Sequence, residues 1–179
     1  VYQWTYVVSD SKEDLHVTIG HWRKETYSMN QELLIQQTKR ESQALEHVTQ
    51  ALEVMVGWAV DGDGFSRKLS SVRFFTELYQ RHSERLFALE EIDGYMESIS
   101  RLHPELTGQV DNLKREHERF RAAVRKIVVR IDLASPTNLP EFNATCDELR
   151  KTINQILEHL RGEQELLVET FHRDTGGEA

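Results

Sequence analysis

Apolar residues recur along most of this chain at steps of three and four. One series runs Val110, Leu113, Phe120, Val124, Ile127 and Ile131, a spacing that lays side chains along one face of an α-helix. A second series, Phe142, Cys146, Leu149, Ile153, Ile156, Leu160 and Leu167, does the same towards the C-terminus. Each stripe holds a polar residue where an apolar one is expected. His117 fills a slot between Leu113 and Phe120, and Glu163 fills one between Leu160 and Leu167, with His159 one turn before it.

The same periodicity, bounded by turn residues, predicts four long helices. The first runs from His21 to about Val60 and ends at the loop Asp61-Gly62-Asp63-Gly64. Ser66 caps a second helix that extends to about Leu102. His103-Pro104-Glu105 opens a third, with Pro104 at the favoured first position, and it continues to about Leu133. Asn138 and Glu141 form an N-cap signature for a fourth helix that ends near His172. Short loops fold each helix back on its neighbour, which excludes an extended coiled coil. The expected fold is therefore all-α, an antiparallel up-down-up-down four-helix bundle over residues 21–179. Residues 1–20 read as an N-terminal arm or short helix. The segment Val1–Val8 is aromatic and β-branched, Asp10-Ser11-Lys12-Glu13 suits a helix start, and Gly20 is a candidate break. Trp4 and Tyr6 are placed to fold over the bundle's open end. A chain that opens on Val1 rather than Met also reads as part of something longer.

Charge narrows the partners. A net charge of -8 argues against nucleic acid, whose phosphates need a basic face, and against an anionic membrane surface. No apolar run reaches the length of a membrane span and no signal peptide is evident, so the expected location is cytoplasmic. Cys146 is the single cysteine, which leaves neither a disulfide framework nor a thiolate metal cluster. Its place in an apolar stripe reads as a small buried hydrophobe. No phosphate-binding loop, Ser/His/Asp arrangement or cysteine nucleophile is present in the sequence.

The candidate chemistry lies in the polar slots. A titratable group in a core-facing seam needs a hydrogen bond, a charge or a metal as partner. Ligand-type residues at matching depth on different helices are how helical bundles build metal sites. His47 has Ala44, Ala51, Val54 and Trp58 at helical spacing, so an inward face for it is one reading and a partly exposed histidine the other.

Several segments together resemble the hemerythrin-like (HHE cation-binding) family. Phe87-Ala88-Leu89-Glu90-Glu91-Ile92-Asp93-Gly94-Tyr95-Met96 is similar to its second-helix signature, and Leu113-Lys114-Arg115-Glu116-His117 to its third-helix Glu-His motif. The stretch His159-Leu160-Arg161-Gly162-Glu163 resembles the fourth-helix motif, Glu46-His47 the first-helix histidine, and Glu169 to Gly177 the ending of some bacterial members. The resemblance spans roughly residues 40–178. It implies a bundle holding non-haem iron, typically a di-iron pair, with His47, Glu90, His117, His159 and Glu163 as ligands. Imidazoles and carboxylates suit Fe(II), and the i, i+4 spacing of His159 and Glu163 puts both on one face.

Two positions depart from the family pattern. Leu86 stands where the family has its second-helix histidine, and Arg121 where it often has a second third-helix ligand. His82 lies one turn before Leu86, about 5.4 Å along the axis, too far to substitute in place. An inward Arg121 could pair with Glu90 or Glu163 in place of a metal. A mononuclear site and a metal-free bundle both stay open.

The leading expectation is a non-haem iron-binding domain that binds or senses oxygen, nitric oxide or iron, without catalytic turnover. The alternative is a metal-free bundle acting as a structural or protein-interaction module. A carboxylate-bridged iron peroxidase or oxidase ranks third. Apolar residues on so long a first helix permit a homodimer.

Overall fold

The computed structural model describes the backbone of residues 12–59, 64–92, 94–135 and 138–175, with side chains from residue 32 to residue 170. The extended arm and the Asp61–Asp63 loop fall outside the described residues. Every element among the described residues is helical: α1 (Lys12–Gly57), α2 (Phe65–Glu91), α3 (Tyr95–Leu102), a 3-10 turn (Pro104–Leu106), α4 (Thr107–Asp132) and α5 (Leu139–Thr175). The chain divides into two compact units, Val1–Gln37 and Thr38–Ala179. The described part of the first is helical, and α1 runs through Gly20 without a break. A mid-helix glycine costs only about 1 kcal/mol relative to alanine, too little to end a long helix alone.

The second unit holds the core. Leu45, Val48, Leu52 and Val56 of α1 join Leu69, Val72, Tyr79, Leu86 and Phe87 of α2, Val124, Ile127 and Ile131 of α4, and Phe142 to Ile156 of α5 in one buried cluster. A smaller cluster comprises Met96, Ile99, Leu106, Val110 and Leu166. The apolar stripes of α4 and α5 thus sit where their periodicity puts them, with one exception. Leu166 is buried and Leu167 exposed, because the last turns of α5 face the smaller cluster around α3.

Polar contacts fix the registers between helices. Glu41 of α1 meets His82 of α2 at 2.7 Å, and the Lys68 ammonium donates to the carbonyls of Val56 and Trp58 at 3.0 and 2.6 Å. That ammonium satisfies carbonyls that the end of α1 leaves without intrahelical partners. Arg73 of α2 reaches Asp132 of α4, and Arg130 of α4 reaches Glu148 of α5.

Several helix boundaries differ from the sequence expectation: α1 begins at Lys12 instead of His21, and Pro104 opens a 3-10 turn, with α4 following at Thr107. The second helix starts at Phe65 with Gly64 as its N-cap, so Ser66 lies inside the first turn. It also stops at Glu91 instead of reaching Leu102. Ile92 is extended and the chain re-enters a helix at Tyr95. Gly94 is what permits this fold-back: a Cβ there would stand 2.4 Å from the carbonyl oxygens of both Glu90 and Leu89. The Asn138 cap forms as expected, with the Glu141 amide donating to the Asn138 side chain at 3.4 Å.

Candidate metal centre

Two helices supply the histidines and three supply the carboxylates. Along α4, His117 lies between Val110 of the small cluster and Val124 of the large one. Along α5, His159 and Glu163 lie between Ile156 and Leu166 in the same way. Glu90, in the last turn of α2, adjoins them. The result is a buried polar layer between two apolar clusters, with His117 wholly buried and Glu163 3% exposed.

Within this layer Glu163 Oε1 stands 3.0 Å from His117 Nε2 and 3.1 Å from His159 Nε2. Glu90 Oε2 stands 3.7 Å from His117 Nε2. Each ring is held from its other nitrogen by a further carboxylate. His117 Nδ1 meets Glu91 Oε1 at 2.7 Å, and His159 Nδ1 meets Glu116 Oε2 at 2.7 Å. Phe87 stacks on the His117 ring at 4.1 Å and 17°. The Arg121 fork grips Glu91 with 3.1 and 3.0 Å bonds and also donates to Glu118 at 2.6 Å. Arg121 therefore neutralises Glu91 beside the cluster, rather than Glu90 or Glu163 inside it.

A carboxylate at Nδ1 accepts the proton there, so a neutral ring presents an Nε2 lone pair to the cluster, whereas a charged ring donates there to Glu163. Two buried atoms then lack a hydrogen bond: Glu90 Oε2 and His159 Nε2, the latter close to Glu163 but outside hydrogen-bonding geometry. The Tyr95 hydroxyl is buried nearby, facing Glu163 and Glu90. Desolvation first, then the charges of Glu163 and Glu90, push its pKa up.

Charge is distributed unevenly among the carboxylates. Burial raises the Glu90 pKa to about 9, reinforced by Glu163 and Glu91 and only partly offset by Arg121. Burial also acts to raise Glu163, but the adjoining His117 and His159 rings outweigh it, so its pKa is lowered. Glu91 is lowered likewise, its burial outweighed by Arg121 and His117. For His159, burial favours the neutral ring, yet Glu163 and Glu116 outweigh it and raise its pKa.

The geometry fits a cation. Ligand atoms bound about 2.1 Å from one ion lie about 3.0 Å apart at right angles and about 3.4 Å apart in a tetrahedron. The separations of 3.0, 3.1 and 3.7 Å bracket that range. One ligand atom each from His117, His159 and Glu163 falls within a single 4.8 Å group.

Of the five sequence candidates, Glu90, His117, His159 and Glu163 come together, and His47 does not. His47 is exposed on α1, whose buried face is Leu45, Val48, Leu52 and Val56. The residues taken as its inward neighbours include Val54 and Trp58, 64% and 45% exposed. His82 is tied to Glu41 in the seam between α1 and α2, and Leu86 packs in the main core. Tyr95 and the supporting Glu91 and Glu116 are functional neighbours that the sequence pattern does not single out. Each lies inside a quoted motif, but none falls on an apolar stripe.

The fold and site together define an all-helical protein with a buried His/Glu cluster suited to a metal ion. The chain matches no family model, and comparison with curated proteins and solved structures finds no match.

Proposed function

We propose that this chain is a hemerythrin-like four-helix bundle that holds a single non-haem iron and uses it in the cytoplasm to bind or sense oxygen or nitric oxide. The observation that carries the reading is the pair of orphaned atoms, Glu90 Oε2 and His159 Nε2, beside Glu163 Oε1 and His117 Nε2. An unsatisfied buried polar atom is costly, and here the unsatisfied types are iron-ligand types. The up-down-up-down arrangement is supported by registers that run in opposite senses: Glu41 with His82 but Val56 with Lys68, and Arg130 with Glu148 but Glu116 with His159.

His117, His159 and Glu163 would hold the iron, with Glu90 as fourth donor. Two imidazoles and a carboxylate around an open position are the ligand set of non-haem Fe(II) proteins, and the iron supplies redox-active binding of a diatomic ligand. Glu91 and Glu116 keep each ring in the tautomer whose Nε2 is free. Arg121 holds Glu91 in place. Burial and the neighbouring carboxylates favour the protonated form of Glu90 in the metal-free site, and a bound cation would displace that proton. Phe87 and the apolar clusters on both sides exclude water. With His47 exposed and Leu86 apolar, no second ligand set is formed among the described residues, so one ion per chain is expected.

A metal-free reading has one observation in its favour. The raised pKa of His159 suits an imidazolium that pairs with both Glu163 and Glu116. Elemental analysis of protein expressed with added iron and purified without chelator separates the two. One iron per chain supports the metal reading. A folded protein without iron, which takes none up after reduction and anaerobic addition of Fe(II), refutes it.

A further inference from the structure

His117, Glu90 and Glu163 are sealed in the interior, but His159 also forms part of a cleft. The cleft lies between α4 and α5 and has a volume of about 490 Å³. Glu116, Arg119 and Phe120 line it from α4, and Glu158, His159 and Gly162 from α5. We infer that this cleft is the route by which a hydrated divalent cation reaches the buried centre, with His159 as the gate. The inference rests on the metal reading above.

Size is the first argument. A cation with six waters occupies roughly 200 Å³ at about 30 Å³ per water, which the cleft accommodates. Charge is the second. Two carboxylates, Glu116 and Glu158, face one guanidinium, Arg119, which already pairs with Glu116 Oε1 at 3.0 Å. The carboxylates of the walls outnumber the guanidinium, and with His159 neutral the cleft is negative, which concentrates cations and repels anions.

The gate follows from the histidine's two sides. Its Nδ1 is held at 2.7 Å by Glu116, which is 35% exposed and belongs to the cleft wall. Its Nε2 faces Glu163 and the interior. Breaking the single bond to Glu116 frees the ring to turn about its Cα–Cβ bond into the cleft, take a cation from the rim and carry it inward to Glu163. Gly162, one turn along the same face of α5, leaves the space for that motion, since a Cβ there would meet nothing within 4 Å. A larger side chain at this position would project beside the His159 ring without disturbing the core.

The test measures loading. Chelator-treated protein is mixed with Co(II) or, anaerobically, with Fe(II), and uptake is followed by stopped-flow absorbance. Gly162→Phe is expected to load at least about tenfold more slowly than wild type while reaching the same final stoichiometry. Glu158→Gln is expected to load severalfold more slowly at low salt, with the difference fading as salt screens the cleft. Gly162→Ala, which keeps the space nearly open, serves as the folding control and is expected to load at the wild-type rate. Both Gly162→Phe and Glu158→Gln loading at the wild-type rate would overturn the route and leave the metal centre standing. A wild-type protein that takes up neither ion would overturn the centre itself, and the route with it.

Discussion

Replacing His117 with alanine tests the site and the core together. The ring is wholly buried, accepts the Phe87 stack at 4.1 Å, and bridges Glu91 at 2.7 Å and Glu163 at 3.0 Å. A hydrogen bond to a charged group contributes about 1.5–3 kcal/mol, and breaking a buried pair costs about 3–5 kcal/mol because a charge is left behind. In metal-free protein the expected loss is therefore about 3–5 kcal/mol, read as a lowered urea midpoint and a melting temperature lower by roughly 10 °C. In metal-containing protein the effect grows. An ion at one hundred times its dissociation constant adds about 2.7 kcal/mol to wild type and nothing to a variant that cannot bind it. His117→Gln, which keeps a planar polar side chain, guards against simple unfolding and is also expected to lose the metal. His47→Ala is the matched control: an exposed histidine on α1, expected to change stability by less than about 0.5 kcal/mol and to keep the full iron content. Iron at one per chain in His117→Gln, or an unchanged urea midpoint in metal-free His117→Ala, would refute this account of the layer.

The pH response of the metal-free protein has a determined sign. His159 has a raised pKa, so its contribution is fully present below about pH 6.5 and is lost as pH rises through the folded value. Glu90, raised to about 9, likewise favours the folded state less as pH rises towards that value. Glu163 is lowered, and its contribution is lost only as pH falls below the ordinary carboxylate range. Metal-free protein is expected to have a lower urea midpoint at pH 9 than at pH 6, and metal-loaded protein a smaller or inverted change because protons compete with the ion. A metal-free midpoint that rises with pH over this range contradicts these assignments. Gly94→Ala forces a Cβ to within 2.4 Å of two carbonyl oxygens, so the α2–α3 turn must shift. The expected cost is about 2–4 kcal/mol by chemical denaturation, and a wild-type midpoint would count against the fold-back. Glu91→Gln weakens the hold on His117 and is expected to lower metal affinity about 10- to 100-fold by competition titration.

How much of this was legible depends on which contacts are local. The stripes of α4 and α5 could be read because a helix facing one core repeats its apolar residues at a fixed angle, and the polar exceptions His117 and Glu163 stood out against them. α1 offers two overlapping series. Leu45, Val48, Leu52 and Val56 are buried, while the set Ala44, Ala51, Val54 and Trp58 lies one residue's turn away, about 100° around the axis. Only the neighbouring helices decide between them, and periodicity carries no information about neighbours. The end of α2 was hidden for a similar reason. A lone glycine inside a helical pattern is a weak breaker, and what ends α2 is the close approach of the Gly94 backbone to Glu90 and Leu89.

The supporting carboxylates show the same limit at the site itself. Glu91 and Glu116 are each one residue from a ligand candidate and off the apolar stripes, so periodicity does not single them out. They become partners of His117 and His159 only through the register between helices. That register gives the layer its chemical sense. Arg121 takes up the charge of Glu91, and Glu91 and Glu116 occupy the Nδ1 positions of the two rings. What is left over, Glu90 Oε2 and the inward face of His159, belongs to buried groups that an apolar bundle would have no reason to contain. Protons on the two rings would serve Glu91, Glu116 and Glu163, but they leave Glu90 Oε2 at 3.7 Å from the nearest ring nitrogen and without a partner. A single divalent cation would engage His117, His159, Glu163 and Glu90 at once.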